Sequence, residues 1–230
     1  MPSNPWRHLP ASAPFVLPED EPFVHEHNAN QVVENGMKGE HLLDLTLPPG
    51  PFQGFFDAPV VVLLANPGHH PDDHEMFSGG TIHNLLVKAA TSDEGTPIVG
   101  LTEVFRRAGG EQWWANHTRD LAEAVGGFDT LSEIMLAVEL HGYHSQAWTS
   151  PLHNFPSQSF GFDLVKRAMD REALIITVRC QKNWFASVPG LRNYDNLIGG
   201  LKSQRSAHLS HNNLGEENFT RVVSHLKRGH

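Results

Sequence analysis

The chain has 230 residues, of which 39% are hydrophobic, so that it can bury a packed core and is not a disordered chain. Its formal net charge of −9 excludes a general attraction to phosphate backbones, and any nucleic-acid role therefore needs a local basic patch. The single cysteine Cys180, the lack of a signal-peptide core and the lack of a long apolar stretch predict a cytoplasmic protein with no membrane partner.

The N-terminal segment is rich in prolines, and we expect residues 1–39 to form an irregular arm of a single α/β domain that spans 1–230. The next segment, GEHLLDLTLPPGPFQG, predicts a short strand followed by a Pro/Gly turn. The run APVVVLLA at 58–65 is continuously apolar and lies between two prolines. This pattern is typical of a strand that is buried on both faces, as in parallel sheets.

Helical and apolar segments alternate through the rest of the chain. Helical spacing is present in GGTIHNLLVKAA, EQWWANHTRDLAEAVGG, SQSFGFDLVKRAMDR and GEENFTRVVSHLKR. Further strands are expected in LSEIMLAVEL, in EALIITVRC and, more weakly, in GGLKSQRSAHLS at 199–210. Alternation of strands with helices predicts a three-layer α/β/α sandwich with a mainly parallel sheet of about four strands.

Polar, histidine-rich or aromatic residues follow each predicted strand. Ligands of open parallel sheets bind at the carboxyl ends of the strands, because the crossover connections bring those ends to one edge. The side chains after the four strands are therefore expected to meet there. The residues in question include Asn66 to His70, then Glu139, His141, Tyr143 and His144, then Arg179 to Trp184, and finally Arg205 to His211.

The order of these motifs resembles that of the uracil-DNA glycosylase superfamily. In that family a buried strand ends in a Gly-Gln-Asp-Pro-Tyr-His or Gly-Ile-Asn-Pro-Gly motif, and Ala65-Asn66-Pro67-Gly68 stands in this place. A His-Pro-Ser-Pro turn before the last helix is the family's second motif, where this chain has Ala207 to His211. The resemblance covers residues ~40–228 and is to a divergent branch of the superfamily, whose other shared features are YHSQAW, Arg179 with Trp184, and Ser210 with Asn213 and Leu214.

The resemblance implies hydrolysis or recognition of a nucleobase or nucleic-acid ligand without a cofactor. Asn66 would orient the attacking water, and His208 would hydrogen-bond the departing base as negative charge develops on it. The region of Ser210 would hold phosphates while the base flips out. The expected ligand-binding residues are Pro67, Gly68, His69, Tyr143, His144, Arg179, Lys182, Arg205, Ser210 and Asn213.

Departures from the family pattern predict weak or lost base excision. Leu209 and His211 replace the two prolines of the second motif. Ala137 or Glu139 stands near the place of the strand asparagine that reads uracil. An asparagine at position 66 cannot accept a proton at neutral pH, so it activates water less well than an aspartate.

A second motif points to different chemistry. His70-Pro71-Asp72-Asp73, followed by Gly79-Gly80-Thr81, resembles the zinc-dependent N-acetylglucosamine deacetylases. That resemblance implies a zinc ion, bound in the alternative ligand set by His70, Asp73 and His144, with a carboxylate as the base. The neighbouring His69, His70 and His74 could also bind a metal with His141 or His144. A non-enzymatic binding module on the same fold is the third hypothesis.

Overall fold

The continuously apolar runs of the sequence form the centre of a β-sheet in a computed structural model of the chain. The structure describes residues 3–35, 39–69, 73–77, 79–108, 112–151, 153–203 and 206–228. Within these residues, six strands form one sheet in the order β3-β1-β4-β2-β5-β6. The strands are β1 (Phe52–Phe55), β2 (Val60–Leu63), β3 (Gly95–Thr96), β4 (Met135–Val138), β5 (Leu174–Thr177) and β6 (Leu197–Ile198).

The sheet is mixed, which corrects the expectation of about four mainly parallel strands. Strands β4, β2, β5 and β6 are parallel neighbours, whereas β1 pairs antiparallel with both β4 and β3. The α/β class is confirmed. The two antiparallel strands, β1 and β3, are four and two residues long. Strand β1 follows the Pro/Gly turn, whereas a strand was expected before that turn. Strand β6 lies just before the segment 199–210 in which a strand was predicted.

Helices connect the strands and flank the sheet. The described chain contains ten α-helices and four short 3₁₀ helices, the latter at Pro5–His8, Gly39–His41, Val99–Leu101 and Leu191–Asn193. The α-helices are α1 (Glu21–Asn35), α2 (Asp73–Phe77), α3 (Gly80–Thr91), α4 (Glu103–Arg107), α5 (Trp113–Val125), α6 (Phe128–Ile134), α7 (Gln158–Asp170), α8 (Gln181–Ser187), α9 (His211–Leu214) and α10 (Glu216–Arg228). None of these helices is long and apolar enough to cross a membrane.

The N-terminal segment differs from the predicted irregular arm. It contains the 15-residue helix α1, and the indole ring of Trp6 is buried in the core against Tyr143. The prolines that suggested irregular structure lie mostly before this helix, and Pro22 occupies its first turn, where a missing N–H costs no helical hydrogen bond.

Each face of the sheet is covered by helices, because successive strand residues point to opposite sides. Val61 and Leu63 of β2 pack with helix α7 and the N-terminal segment. Val60 and Val62 pack on the other face with helices α5, α6 and α10. Burial on both faces explains why β2, β4 and β5 consist almost entirely of apolar residues.

Candidate functional site

Three parallel strands end at the same level of the sheet. Leu63 at the end of β2 is in register with Val138 of β4 and with Thr177 of β5. Backbone hydrogen bonds continue past these ends, from Leu64 N to Val138 O at 2.9 Å and from Val178 N to Leu63 O at 3.0 Å. The residues that follow the three strands therefore lie side by side. The strand order also reverses about β2, which is where open α/β sheets bind ligands.

A cavity of about 320 Å³ lies at this edge of the sheet. Its wall includes one polar residue from just beyond each of the three strands: Asn66, Glu139 and Arg179. Gln53 of β1 contributes from the antiparallel side, and Phe77, Leu86 and Phe105 contribute an apolar side that belongs to a small separate core cluster. The cavity volume is within the range of small-molecule sites, which are mostly apolar with a few convergent polar groups.

The carboxamide of Asn66 is held in one orientation by its neighbours. The Oγ atom of Ser145 donates a hydrogen bond to Ala147 O at 3.0 Å, so this oxygen is free to accept one from Asn66 Nδ2, at 2.8 Å. Asn66 Nδ2 also donates to Pro67 O at 3.3 Å. The amide nitrogen is thereby used within the protein, and the Oδ1 atom makes no hydrogen bond to the described residues. Asn66 lines the cavity, and its Oδ1 atom remains available as a hydrogen-bond acceptor.

Glu139 places a carboxyl group at the same wall. Its Oε2 atom is buried and has no hydrogen-bond partner among the described residues, and the same is true of Gln53 Oε1. Burial raises the pKa of Glu139 well above its ordinary range, and the nearby positive charge of Arg179 opposes this only in part. The carboxyl group is therefore protonated more readily than an exposed one, and a protonated carboxyl offers both an O–H donor and a C=O acceptor.

Two indole rings form the aromatic side of the cavity. Trp113 and Trp114, at the start of helix α5, lie edge to face with ring centroids 5.0 Å apart. The ring of Trp114 packs directly against Gly100, where a Cβ atom would overlap it. Both tryptophans contact the core cluster of helix α5 and also line the cavity.

His208 lies at the same edge of the sheet, but it does not line the cavity. Its ring stacks on that of His117 with centroids 4.2 Å apart, and His117 stacks in turn on Trp113 at 4.1 Å. The Nδ1 atom of His117 faces Trp113 O at 2.7 Å, and burial lowers the pKa of His117. The rings of His117 and Trp113 thus lie between His208 and this cavity, which Asn66 lines and His208 does not.

The other predicted ligand-binding residues fall into two groups. Pro67, Gly68, His69, His144 and Arg179 line the cavity. The second group is placed elsewhere: Tyr143 is buried and its hydroxyl donates to Asp20 at 2.7 Å, Lys182 is exposed on helix α8, Ser210 caps helix α9, and Asn213 ties its own loop together through bonds to Ser203 and His208.

His144 is held by the protein backbone. Its Nε2 atom is 2.9 Å from Pro48 O and its Nδ1 atom is 3.3 Å from Gly68 O, so both ring nitrogens face carbonyl oxygens. Burial lowers the pKa of His144 to about 4, so the ring is neutral near pH 7. Neither nitrogen is directed at a metal in this arrangement, which disfavours His144 as a ligand. His70, Asp72 and Arg205 lie outside the described residues, as does the side chain of Asp73.

A different set of metal-ligating groups meets beside the cavity. Asp44, His69 and His74 each place one ligand atom within 4.8 Å of the others. Sequence reasoning named His69 and His74 in a histidine cluster but did not include Asp44, which precedes them by 25 residues or more. It named Glu139 as a strand end and as a residue near the place of the uracil-reading asparagine, but not as a binding or catalytic residue, and no pattern in the sequence pointed to Gln53.

Comparison with protein-family models, curated proteins and solved structures gives no match for this chain.

Proposed function

We propose that this chain is a hydrolase similar to the uracil-DNA glycosylases, which binds a nucleobase in the cavity at the carboxyl ends of β2, β4 and β5. The observation that carries the proposal is the convergence, in one cavity, of an acceptor on Asn66, a carboxyl group on Glu139 whose Oε2 atom has no hydrogen-bond partner among the described residues, and a pair of indole rings. The three-layer, glycosylase-like fold belongs to the same proposal.

The cavity lining matches the two recognition properties of a nucleobase. A base has an aromatic face, and stacking on an aromatic side chain contributes about 1–3 kcal/mol per base. A base also has an edge of alternating donors and acceptors. The protonated carboxyl of Glu139, the Gln53 amide and the Arg179 guanidinium provide donors and acceptors for that edge. The formal charge of −9 favours a nucleoside, a nucleotide or a short single-stranded segment over a long duplex.

The proposed reaction is hydrolysis of the bond between the base nitrogen and C1′ of the sugar. Asn66 Oδ1 accepts a hydrogen bond from the attacking water and orients its oxygen towards C1′. As the C1′–N bond breaks, the electron pair leaves with the base, which takes a proton from the carboxyl of Glu139. The new C1′–O bond retains one hydrogen of the water, and the other proton is returned to Glu139 through solvent.

Glu139 takes the role that the family resemblance assigns to His208. The resemblance places a histidine against the departing base, whereas here His117 and Trp113 separate His208 from the cavity. A group that donates to the base as charge develops on it accelerates the reaction whichever residue provides it. In the proposed mechanism the raised pKa of Glu139 keeps that donor protonated.

The test is an assay for base release. Single-stranded and duplex oligonucleotides that contain uracil, hypoxanthine or xanthine are incubated with the purified protein, and abasic sites are detected by alkaline cleavage. We expect product from at least one substrate, loss of product with Asn66→Ala, and normal product with the matched control Asn183→Ala, whose side chain is bonded to Ser150 near the surface. If the wild type releases no base from any substrate, the hydrolase proposal is wrong, and a binding module is the remaining hypothesis.

A further inference from the structure

Asp44, His69 and His74 form a group of metal-ligating side chains that we call the Asp44 triad. His74 Nε2 lies 2.9 Å from Asp44 Oδ2, and His69 Nε2 lies 3.7 Å from the same oxygen. Because zinc–nitrogen and zinc–oxygen bonds are about 2.0–2.2 Å, ligand atoms around one zinc ion are roughly 3–3.5 Å apart. The two separations in the triad are close to that range without any rearrangement of the backbone.

The carboxylate of the triad is oriented by a neighbouring threonine. Asp44 Oδ1 accepts hydrogen bonds from Thr46 N at 2.9 Å and from Thr46 Oγ1 at 2.6 Å. These bonds occupy one oxygen and direct the other, Oδ2, towards both histidines. Carboxylate ligands of bound metals are commonly held in this way by groups that do not touch the metal.

The protein backbone also fixes the two loops that carry Asp44 and His69. Asp44 N donates to His144 O at 2.8 Å, and Gly68, directly before His69, forms a bridge with Ser145. The segment 144–145 therefore lies between the two ligand-bearing loops and sets their spacing. The side chain of His69 is only 4% exposed, whereas that of His74 is 45% exposed, so one histidine is fixed in the interior and the other is accessible from solvent.

We propose that the Asp44 triad binds one divalent transition-metal ion, and that zinc is the best match. Two imidazoles and one carboxylate suit zinc, iron and similar ions, whereas magnesium and calcium prefer oxygen ligands alone. Three protein ligands leave a coordination position for water or for an oxygen of a bound ligand, which is the pattern of catalytic rather than structural zinc sites. Because His69 also lines the cavity, the ion lies at the cavity wall. This site is independent of the proposed glycosylase chemistry.

The experiment measures zinc binding by the full-length protein after chelation and dialysis. Competition against a chromophoric chelator gives the stoichiometry and affinity for Zn²⁺, with Mg²⁺ as the comparison ion. We expect one tightly bound Zn²⁺ per chain that excess Mg²⁺ does not displace. His74→Ala should weaken the affinity by about 100-fold, and Thr46→Val, which only releases the orientation of Asp44, by roughly tenfold.

The choice of variants makes the zinc-binding measurement decisive in two ways. His74 is half exposed, so its substitution leaves the fold intact even if a change at His69 does not. The matched control is His211→Ala, because His211 is also a half-exposed histidine paired with a carboxylate, at 2.8 Å from Glu216. Stoichiometric zinc that His211→Ala retains and His74→Ala loses supports the site. No zinc binding, or binding that His74→Ala and Asp44→Asn leave unchanged, overturns it whatever the base-release assay shows.

Discussion

The carboxyl groups of Asp20 and Glu139 both have a pKa that burial raises, but they differ in their hydrogen-bond partners. Asp20 is fully buried and has partners on both oxygens: Tyr143 donates to Oδ2 at 2.7 Å, and Ser157 N donates to Oδ1 at 2.9 Å. Glu139 is at the cavity wall, and its Oε2 atom has no hydrogen-bond partner among the described residues.

The difference shows that a raised pKa does not by itself identify a functional site. Asp20 lies directly before helix α1 and binds the N-terminus of helix α7, where a carboxylate is favourable to the helix dipole. It therefore joins two helices and stabilises the fold. A buried polar atom without a partner costs free energy, so the Glu139 carboxyl is maintained at a cost to stability. Such a cost is expected where the group serves a ligand.

The largest expected effect is on activity and comes from Glu139→Gln. The glutamine keeps the size of the side chain and removes the acidic proton, so base release should fall by roughly 10²- to 10⁴-fold. Stability should change in the opposite sense: because the pKa of Glu139 is raised, the wild type loses stability as the pH rises through that pKa, and the variant does not. Base release and urea unfolding, each followed from pH 4.5 upward, measure the two effects, because 4.5 is the ordinary pKa at which the loss of stability begins. Undiminished activity would remove Glu139 from the mechanism.

The substitution Asp20→Ala tests the other carboxyl group, and it should lower the free energy of unfolding without changing base binding. It removes two hydrogen bonds and leaves two buried donors, the O–H of Tyr143 and the N–H of Ser157, without their acceptor, at a cost of about 3 kcal/mol in the free energy of unfolding. Denaturant titration measures this cost, and base binding at low temperature, where the variant is still folded, should equal that of the wild type. A variant with wild-type stability would refute the structural role of Asp20.

A buried histidine gives a smaller effect with its own pH signature. Burial lowers the pKa of His141 to about 3, whereas in the unfolded chain it is near 6.5. The unfolded state therefore takes up a proton that the folded state does not, and the contribution of a neutral His141 to stability is lost as the pH falls from 6.5 towards 3. Relative to the wild type, His141→Phe should gain about 1.4 kcal/mol per pH unit between pH 6 and pH 5. A constant offset between the two urea-unfolding curves would contradict this.

The smallest expected effect is that of His208→Ala. Because two rings separate His208 from the cavity, the variant should reduce base release by less than about tenfold, below the usual contribution of a general acid. Parallel kinetics with Glu139→Gln rank the two residues. If the histidine variant is the more impaired of the pair, the role belongs to His208, as the family resemblance implies.

Much of the central sheet could be predicted from the sequence, because β2, β4 and β5 are buried on both faces and their apolar runs are uninterrupted. The short strands β3 and β6 contain two residues each, which is too few for any periodic pattern. The helix α1 has little separation of apolar and polar faces, and the prolines around it obscured it.

The candidate site was predictable where it follows the strands and not where it depends on tertiary contacts. Asn66, His69 and Arg179 were expected at the strand ends, and all three line the cavity. Isolated β-bridges to the segment 144–145 bring Asp44 near His69, and His74 joins them from helix α2; such bridges leave no local signal in the sequence. The distance of His208 from the cavity is set by the stacked rings of α5, which motif order alone does not reveal.

Ligand-detected NMR with free uracil, hypoxanthine and adenine tests the central claim most directly, because it detects weak binding whether or not the protein is catalytic. Gly68 lines the cavity, and open space surrounds the position that its Cβ atom would occupy, so Gly68→Phe should block the cavity without disturbing the fold. Gly79→Phe, at a position equally open but not among the cavity-lining residues, is the control. We predict saturation transfer to at least one base with the wild type and with Gly79→Phe, and none with Gly68→Phe. Equal transfer with all three proteins, or none with the wild type, would contradict a base-binding cavity at the carboxyl ends of the sheet.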